Sequence, residues 1–115
     1  MGPLSITVAA GDCGPVLVLS GEADMTTVPE LSAALTAQID AGVRRLTVDL
    51  SGLRFADSAT VGALIAASRS LRAAGGTLVL SRPQSVVART LNLLGVDRVI
   101  PVRGGTGAGT GPDGS

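Results

Sequence analysis

The stretch LTVDLSGLRFADSATVGALIAASRSLRAAGGTLVLS, residues 46–81, changes its apolar period twice. Leu46, Val48 and Leu50 alternate with Thr47 and Asp49, the pattern of a strand with one buried face. Val61, Leu64, Ile65 and Leu71 then share a helical stripe. Arg69 and Arg72 fall in its last turns, where cations suit the helix dipole. Gly75 and Gly76 stop the helix, and TLVLS is a short apolar run fit for a buried strand. Between strand and helix, SGLRFA reads as a loop. The stretch is one βαβ unit, so its two strands are parallel and its crossover right-handed.

The same alternation extends in both directions. LSITVAA and PVLVLSG flank GDCG and predict a β-hairpin. In TVPELSAALTAQIDAG, Thr27 and Glu30 have capping-box spacing, and Pro29 suits a first turn. Val28, Leu31, Leu35 and Ile39 recur at helical spacing up to Gly42. PQSVVARTLNLLG predicts a third helix with Val87, Leu91 and Leu94 inward and Gly95 as its C-cap, and DRVIPV predicts a last strand. Helices are thus expected near 28–41, 58–74 and 85–94. The order β-β-α-β-α-β-α-β specifies a single α/β domain over residues 1–103. Its sheet is mixed and mostly parallel, with βαβ crossovers and an N-terminal β-hairpin. The segment GGTGAGTGPDGS has no apolar anchor, so 104–115 is expected to be a disordered Gly-rich tail.

Composition narrows the function. One Phe, no Trp and no Tyr leave the core to aliphatic side chains. A net charge of zero and the lack of stacking aromatics argue against nucleic acid. There is no His, and all nine basic residues are Arg, so a serine nucleophile has neither a His nor a Lys base. A P-loop lysine is impossible for the same reason. Cys13 is alone, which excludes an intrachain disulfide, and a zinc site lacks ligands. The chain is therefore expected not to be an enzyme and to hold no metal or cofactor. No apolar run spans a bilayer and no signal peptide is evident, so the expected setting is the cytoplasm, without membrane insertion.

In such a fold the loops leaving the C-terminal ends of the parallel strands gather at one edge. SGEAD and SGLRFADS both leave strands there, which should bring Glu22, Asp24, Asp57 and Ser58 together. The pattern alone leaves two roles open for Ser58. It can be the N-cap of the second helix, or an exposed hydroxyl that another protein modifies. A phosphate at a helix start would find free N–H groups and a favourable dipole, while the nearby carboxylates would make it unwelcome to an acidic partner.

The segments VLSGEADMTTVPEL, LTVDLSGLRFADSATVGALIAASRSLRAAGGTLVLS and VARTLNLLGVDRVIPV together resemble the STAS domain, most closely its anti-sigma-factor antagonist branch. The resemblance runs from about residue 4 to residue 102. Its most specific pieces are G-E-x-D, residues 21–24, and D-L-S-x-L-x-F-x-D-S, residues 49–58. It implies a partner-switching protein. Unphosphorylated, such a protein binds an anti-sigma factor with serine kinase activity and indirectly frees a sigma factor. Phosphorylation ends the association, and a PP2C-type phosphatase restores it. The phosphoacceptor falls on Ser58, the motif acid on Asp57 and the loop acid on Asp24. The binding surface is expected to comprise Glu22, Asp24, Asp57, Ser58, Ala59, Thr60 and Val61. The family's usual D-S-S/T-G-L-G is D-S-A-T-V-G here, with Gly62 kept. Thr60 is the fallback acceptor, and its branched side chain stands where a glycine would let a partner approach. The departure keeps an alternative open: a STAS adaptor without a phosphoswitch, in an ABC lipid transporter or a stress-signalling assembly.

Overall fold

The computed structural model describes residues 4–104. The hairpin forms first: β1 (Ser5–Gly11) and β2 (Gly14–Ala23) pair antiparallel from Ser5↔Ser20 to Gly11↔Gly14. Gly14 has φ +141°, and a Cβ there would lie 2.4 Å from the carbonyl oxygen of Arg45, so only glycine lets the hairpin close against the next strand. Then follow α1 (Val28–Asp40), β3 (Arg45–Ala56), α2 (Ser58–Ala73), β4 (Thr77–Ser81), α3 (Ser85–Leu93), a 3-10 turn (Val96–Arg98) and β5 (Val102–Arg103).

The sheet runs in the order β1-β2-β3-β4-β5, with every pair after the hairpin parallel. This is the expected mixed, mostly parallel sheet. Right-handed crossovers that always step the same way put all three helices on one face. Inward residues of each helix accordingly join one core with the same face of the strands: Leu31 and Leu35, Val61, Leu64 and Leu71, Val87 and Leu91, against Leu17, Leu19, Leu46, Val48, Leu50, Leu78 and Leu80. Most of the large fully buried side chains are leucines, joined by Ile100, the consequence of an almost aromatic-free composition.

Three elements differ from the sequence reading. SGLRFA is strand, not loop. β3 continues to Ala56 because β2 pairs with it that far and because Leu53 and Ala56 are buried. Bulges between Val18 and Ser20 and between Gly21 and Glu22 accommodate the irregular polar residues. Gly52 is needed there, since a Cβ would sit 2.7 Å from the Ser20 side chain. DRVIPV is mostly not strand. Val96 and Ile100 are both fully buried and stand four residues apart, a helical period, so the chain turns through a 3-10 helix and pairs with β4 only at Val102 and Arg103. The Thr27–Glu30 capping box does not form: Thr27 has φ −99° and ψ −4° and makes no side-chain cap bond. The three helices lie within one residue of the expected bounds. The expected tail falls outside the described residues, apart from Gly104.

β4 ends opposite Asp49, whereas β2 and β3 run on together to Ala23 and Ala56. The β2–β3 pair therefore projects beyond the rest of the sheet as a two-stranded ribbon, and its tip carries the conspicuous polar motifs.

Candidate functional site

At that tip the Asp57 N–H donates to the Ala23 carbonyl at 3.3 Å, extending the Ala23↔Ala56 pairing by one residue. Asp57 thus leaves the strand still extended, φ −96° and ψ −179°, the backbone of an N-cap. Its Oδ1 accepts from the Thr60 N–H at 2.9 Å and from the Thr60 hydroxyl at 3.0 Å. Its Oδ2 accepts from the Met25 N–H at 3.0 Å. One carboxylate therefore caps α2 and fastens the β2–α1 loop to it. Burial pushes its pKa up. The N–H and hydroxyl of Thr60 and the N–H groups of Met25 and Ala59 outweigh that and hold it below the ordinary 3.8. Asp57 is an anion at neutral pH.

This settles the ambiguity over the cap. Asp57 is the N-cap and Ser58 is the first residue of α2, exposed, with no side-chain hydrogen bond to it among the described residues. Of the N–H groups expected to receive an anion at this helix start, the Asp57 carboxylate already holds that of Thr60.

Asp24 is drawn into its own loop. Its Oδ1 accepts from the N–H and the hydroxyl of Thr26. The Thr27 hydroxyl accepts from the Asp24 N–H and donates to the Asp24 carbonyl, each at 3.0 Å. Thr27 thus closes this loop instead of capping α1. The expected cluster forms in part. Asp24, Asp57 and Ser58 are joined through the Met25 bond, while Glu22 sits opposite Phe55 with its carboxylate 3.9 Å from the Arg54 guanidinium. Both members of that pair are more than half exposed, so it contributes little stability.

Burial divides the remaining candidates. Ala59 is exposed, but Thr60 is 0% and Val61 2% exposed. Thr60 does not present a branched surface where a glycine was expected. Its side chain turns inward onto Asp57, and Val61 belongs to the core. Gly62 is exposed, and a Cβ there would meet nothing within 4 Å. The sequence reading missed Met25 and Phe55, 70% and 45% exposed. Their signal was present: large apolar residues directly beside the polar motifs, one of them the lone aromatic.

A second polar cluster pins the neighbouring strand end. Asp49, 7% exposed, accepts from the Ser51 N–H at 2.9 Å and from the Arg82 guanidinium. The Gln84 amide donates to the Ser51 carbonyl at 2.6 Å. Burial pushes the Asp49 pKa up, and the bonds from Ser51 and Arg82 pull it below its usual value. Arg82 holds φ +52°, a left-handed backbone that costs a non-glycine residue about 1 kcal/mol or more. No three His, Cys, Asp or Glu side chains gather in a metal-binding array among the described residues, and no helix among them is long and apolar enough to cross a membrane.

Among known proteins, the family model described as Mlab, STAS domain, matches residues 6–102. The anti-sigma-F factor antagonist RsfB of Mycobacterium tuberculosis is 34% identical over 98 residues, covering 84% of this chain and 80% of that protein. The crystal structure of an anti-sigma factor antagonist from Mycobacterium paratuberculosis superimposes with a TM-score of 0.79 at 28% identity, covering 88% of this chain and 86% of that one. The anti-sigma factor antagonist SpoIIAA, solved in its unphosphorylated form, superimposes at 0.73, covering 85% of this chain and 87% of its own. The phosphorylated form from Bacillus superimposes at 0.66, covering 85% and 90%. At 23% identity these last two show the fold alone. With its strand order, its motif-bearing ribbon and nearly its whole described length matched, the chain belongs to the STAS-domain family, among relatives named as anti-sigma factor antagonists.

Proposed function

We propose that this protein is an anti-sigma factor antagonist whose association with an anti-sigma factor is switched off by phosphorylation of Ser58. The observation that carries the reading is the division of labour at the start of α2. Asp57 does the capping, which leaves the Ser58 hydroxyl exposed and unengaged. The names of the relatives supply the partner class, an anti-sigma factor. A kinase activity in that partner and a PP2C-type phosphatase acting in reverse follow from the family resemblance.

In this reading the chain is substrate and ligand, not enzyme. The partner binds ATP and aligns its γ-phosphorus with Ser58 Oγ. The new O–P bond forms as the bond to the ADP leaving oxygen breaks, and the hydroxyl proton goes to a base on the partner. The docking surface comprises Ser58, Ala59 and the exposed Met25 and Phe55, with the backbone of Gly62. The Asp24 and Asp57 carboxylates shape the two loops of that surface. A phosphate on Ser58 adds about −1.5 to −2 charges at pH 7, beside an ionised Asp57 that already holds the Thr60 N–H. It therefore projects into the interface instead of folding back onto the helix. A loss of about 3 kcal/mol there weakens binding more than a hundredfold.

The test combines the anti-sigma partner, ATP and each variant, reading phosphate by intact mass and binding by calorimetry. Wild type should bind, gain one phosphate and release. Ser58→Ala should bind without being switched off, and Ser58→Glu should bind poorly. A phosphate on Ser58→Ala would move the site elsewhere, and at Thr60 it would require the first turn of α2 to open. The family resemblance also supports a second reading, a STAS adaptor of an ABC lipid transporter, and the description of the matching model names a STAS domain without naming an antagonist. Wild type that never gains phosphate yet binds a transporter ATPase subunit would establish that reading instead.

A further inference from the structure

We propose that two copies of this chain associate through their β1 edges into one continuous sheet. β1 is the outer strand beyond β2, seven residues long and paired with β2 in a single register without a bulge. Exposed strand edges are commonly guarded by charge, proline, bulges or a covering element. SITVAAG contains neither a charge nor a proline, and six of its seven residues are exposed.

The hairpin tells which backbone groups are free. Gly11 and Gly14 close it across the two turn residues Asp12 and Cys13, so they form a hydrogen-bonded pair. Antiparallel ladders alternate, which commits the N–H and C=O groups of Ser5, Thr7, Ala9 and Gly11 to β2. Those of Ile6, Val8 and Ala10 point away from the sheet. They are a strand's worth of donors and acceptors awaiting a second strand.

The occupant that fits is the same edge of a second copy, because antiparallel pairing of identical strands about a twofold axis is self-complementary. The register that uses the whole strand centres on its middle residue. It sets Val8 against the partner's Val8, Ile6 against the partner's Ala10 and Thr7 against the partner's Ala9. Large meets small, no like charges oppose, and β-branched cross-strand pairs are favourable. Val8 points to the helix-bearing face, like Leu17 opposite it, yet is 59% exposed. In the dimer the two Val8 side chains cover each other. β2 and β3 of the two copies then run in opposite directions, so the two Ser58 poles lie at opposite ends of the joined sheet, and the association is independent of the function proposed above.

The test is sedimentation of the full chain over a concentration series reaching about 1 mM, high enough to populate a weak dimer. It is joined to amide exchange read residue by residue. Mass should rise towards the dimer with concentration. Slow exchange at Ile6, Val8 and Ala10 should appear only in the concentrated sample, while Thr7 and Ala9 stay protected at every concentration. Val8→Lys and Val8→Glu should each weaken association roughly tenfold, and an equimolar mixture of the two should recover it. Each variant's thermal melt shows whether it folds. Wild type that stays monomeric overturns the proposal. So does a dimer in which Ile6, Val8 and Ala10 exchange as fast as in the monomer, or a charge-swapped mixture of folded variants that does not associate while wild type does. If β1 instead pairs only with a strand of another protein, the second-copy assignment falls.

Discussion

Replacing Asp57 separates the two roles that its neighbour Ser58 could have played. Asp57→Ala removes the N-cap bond to the Thr60 N–H, worth about 1 kcal/mol. It also removes the acceptor for the Met25 N–H, about 0.5–1.5 kcal/mol. The Thr60 hydroxyl, on a residue with no exposed surface, loses its acceptor as well, at about 1–3 kcal/mol. These contributions share one side chain and do not simply add, so the expected loss is about 3 kcal/mol, a fall in Tm of about 12–24 °C for a domain this size. Asp57→Asn dissects the loss. Asparagine caps as well as aspartate, but its amide nitrogen would face the Met25 N–H donor to donor, so only the loop fastening goes, at about 1 kcal/mol. Ser58→Ala should change stability by less than about 0.5 kcal/mol. Urea unfolding of the four proteins at pH 7, fitted with a common m-value, measures this. A Ser58→Ala variant as unstable as Asp57→Ala would refute the assignment of the cap, and with it the case for a free hydroxyl.

The pH dependence follows from the same side chains. Asp49 and Asp57 both have folded pKa values below their unfolded values, so the unfolded chain takes up protons first as the pH falls. Their stabilisation is complete above the unfolded pKa and is lost as the pH drops through the folded pKa. Denaturant midpoints between pH 7 and pH 2 should therefore fall only at the acid end, less steeply in Asp57→Asn. Gly62→Ala should stabilise the fold by about 0.5–1 kcal/mol, because the added methyl meets nothing, yet it should weaken binding of the anti-sigma partner if α2 docks there. A gain in both would remove Gly62 from the surface. Arg82→Ala should destabilise by about 1–3 kcal/mol, by leaving the buried Asp49 carboxylate short of a donor, and should raise the Asp49 pKa, which side-chain NMR titration reads directly. Leu50→Ala, at a position with no exposed surface, should cost about 2–5 kcal/mol.

What residues 46–81 dictate by themselves is local. The alternation of Leu46, Val48 and Leu50 and the stripe of Val61, Leu64 and Leu71 specify a strand and a helix, and the order of such units compels parallel pairing and right-handed crossovers. The helix bounds, the hairpin and most of the core were legible for that reason, although Leu94, expected inward, lies just past the end of α3 and is 48% exposed. So was the gathering of the Asp24 and Asp57 loops at one edge, because topology alone carries strand ends together. The rest depended on contacts between residues far apart in the chain. Whether SGLRFA is loop or strand is decided by β2, which pairs with it through two bulges that no period in the sequence announces. Whether Thr27 caps a helix or closes a loop is decided by Asp24, whose backbone its hydroxyl engages. Val96 and Ile100 turn the chain helically because both must reach the core within four residues. Between Asp57 and Ser58, composition and spacing were indifferent, since both are good caps. The one-residue extension of the β2–β3 ladder at Ala23 keeps Asp57 extended, and the Met25 N–H on the neighbouring loop takes its second oxygen. Tertiary pairing therefore made the acid the cap and left the hydroxyl facing water.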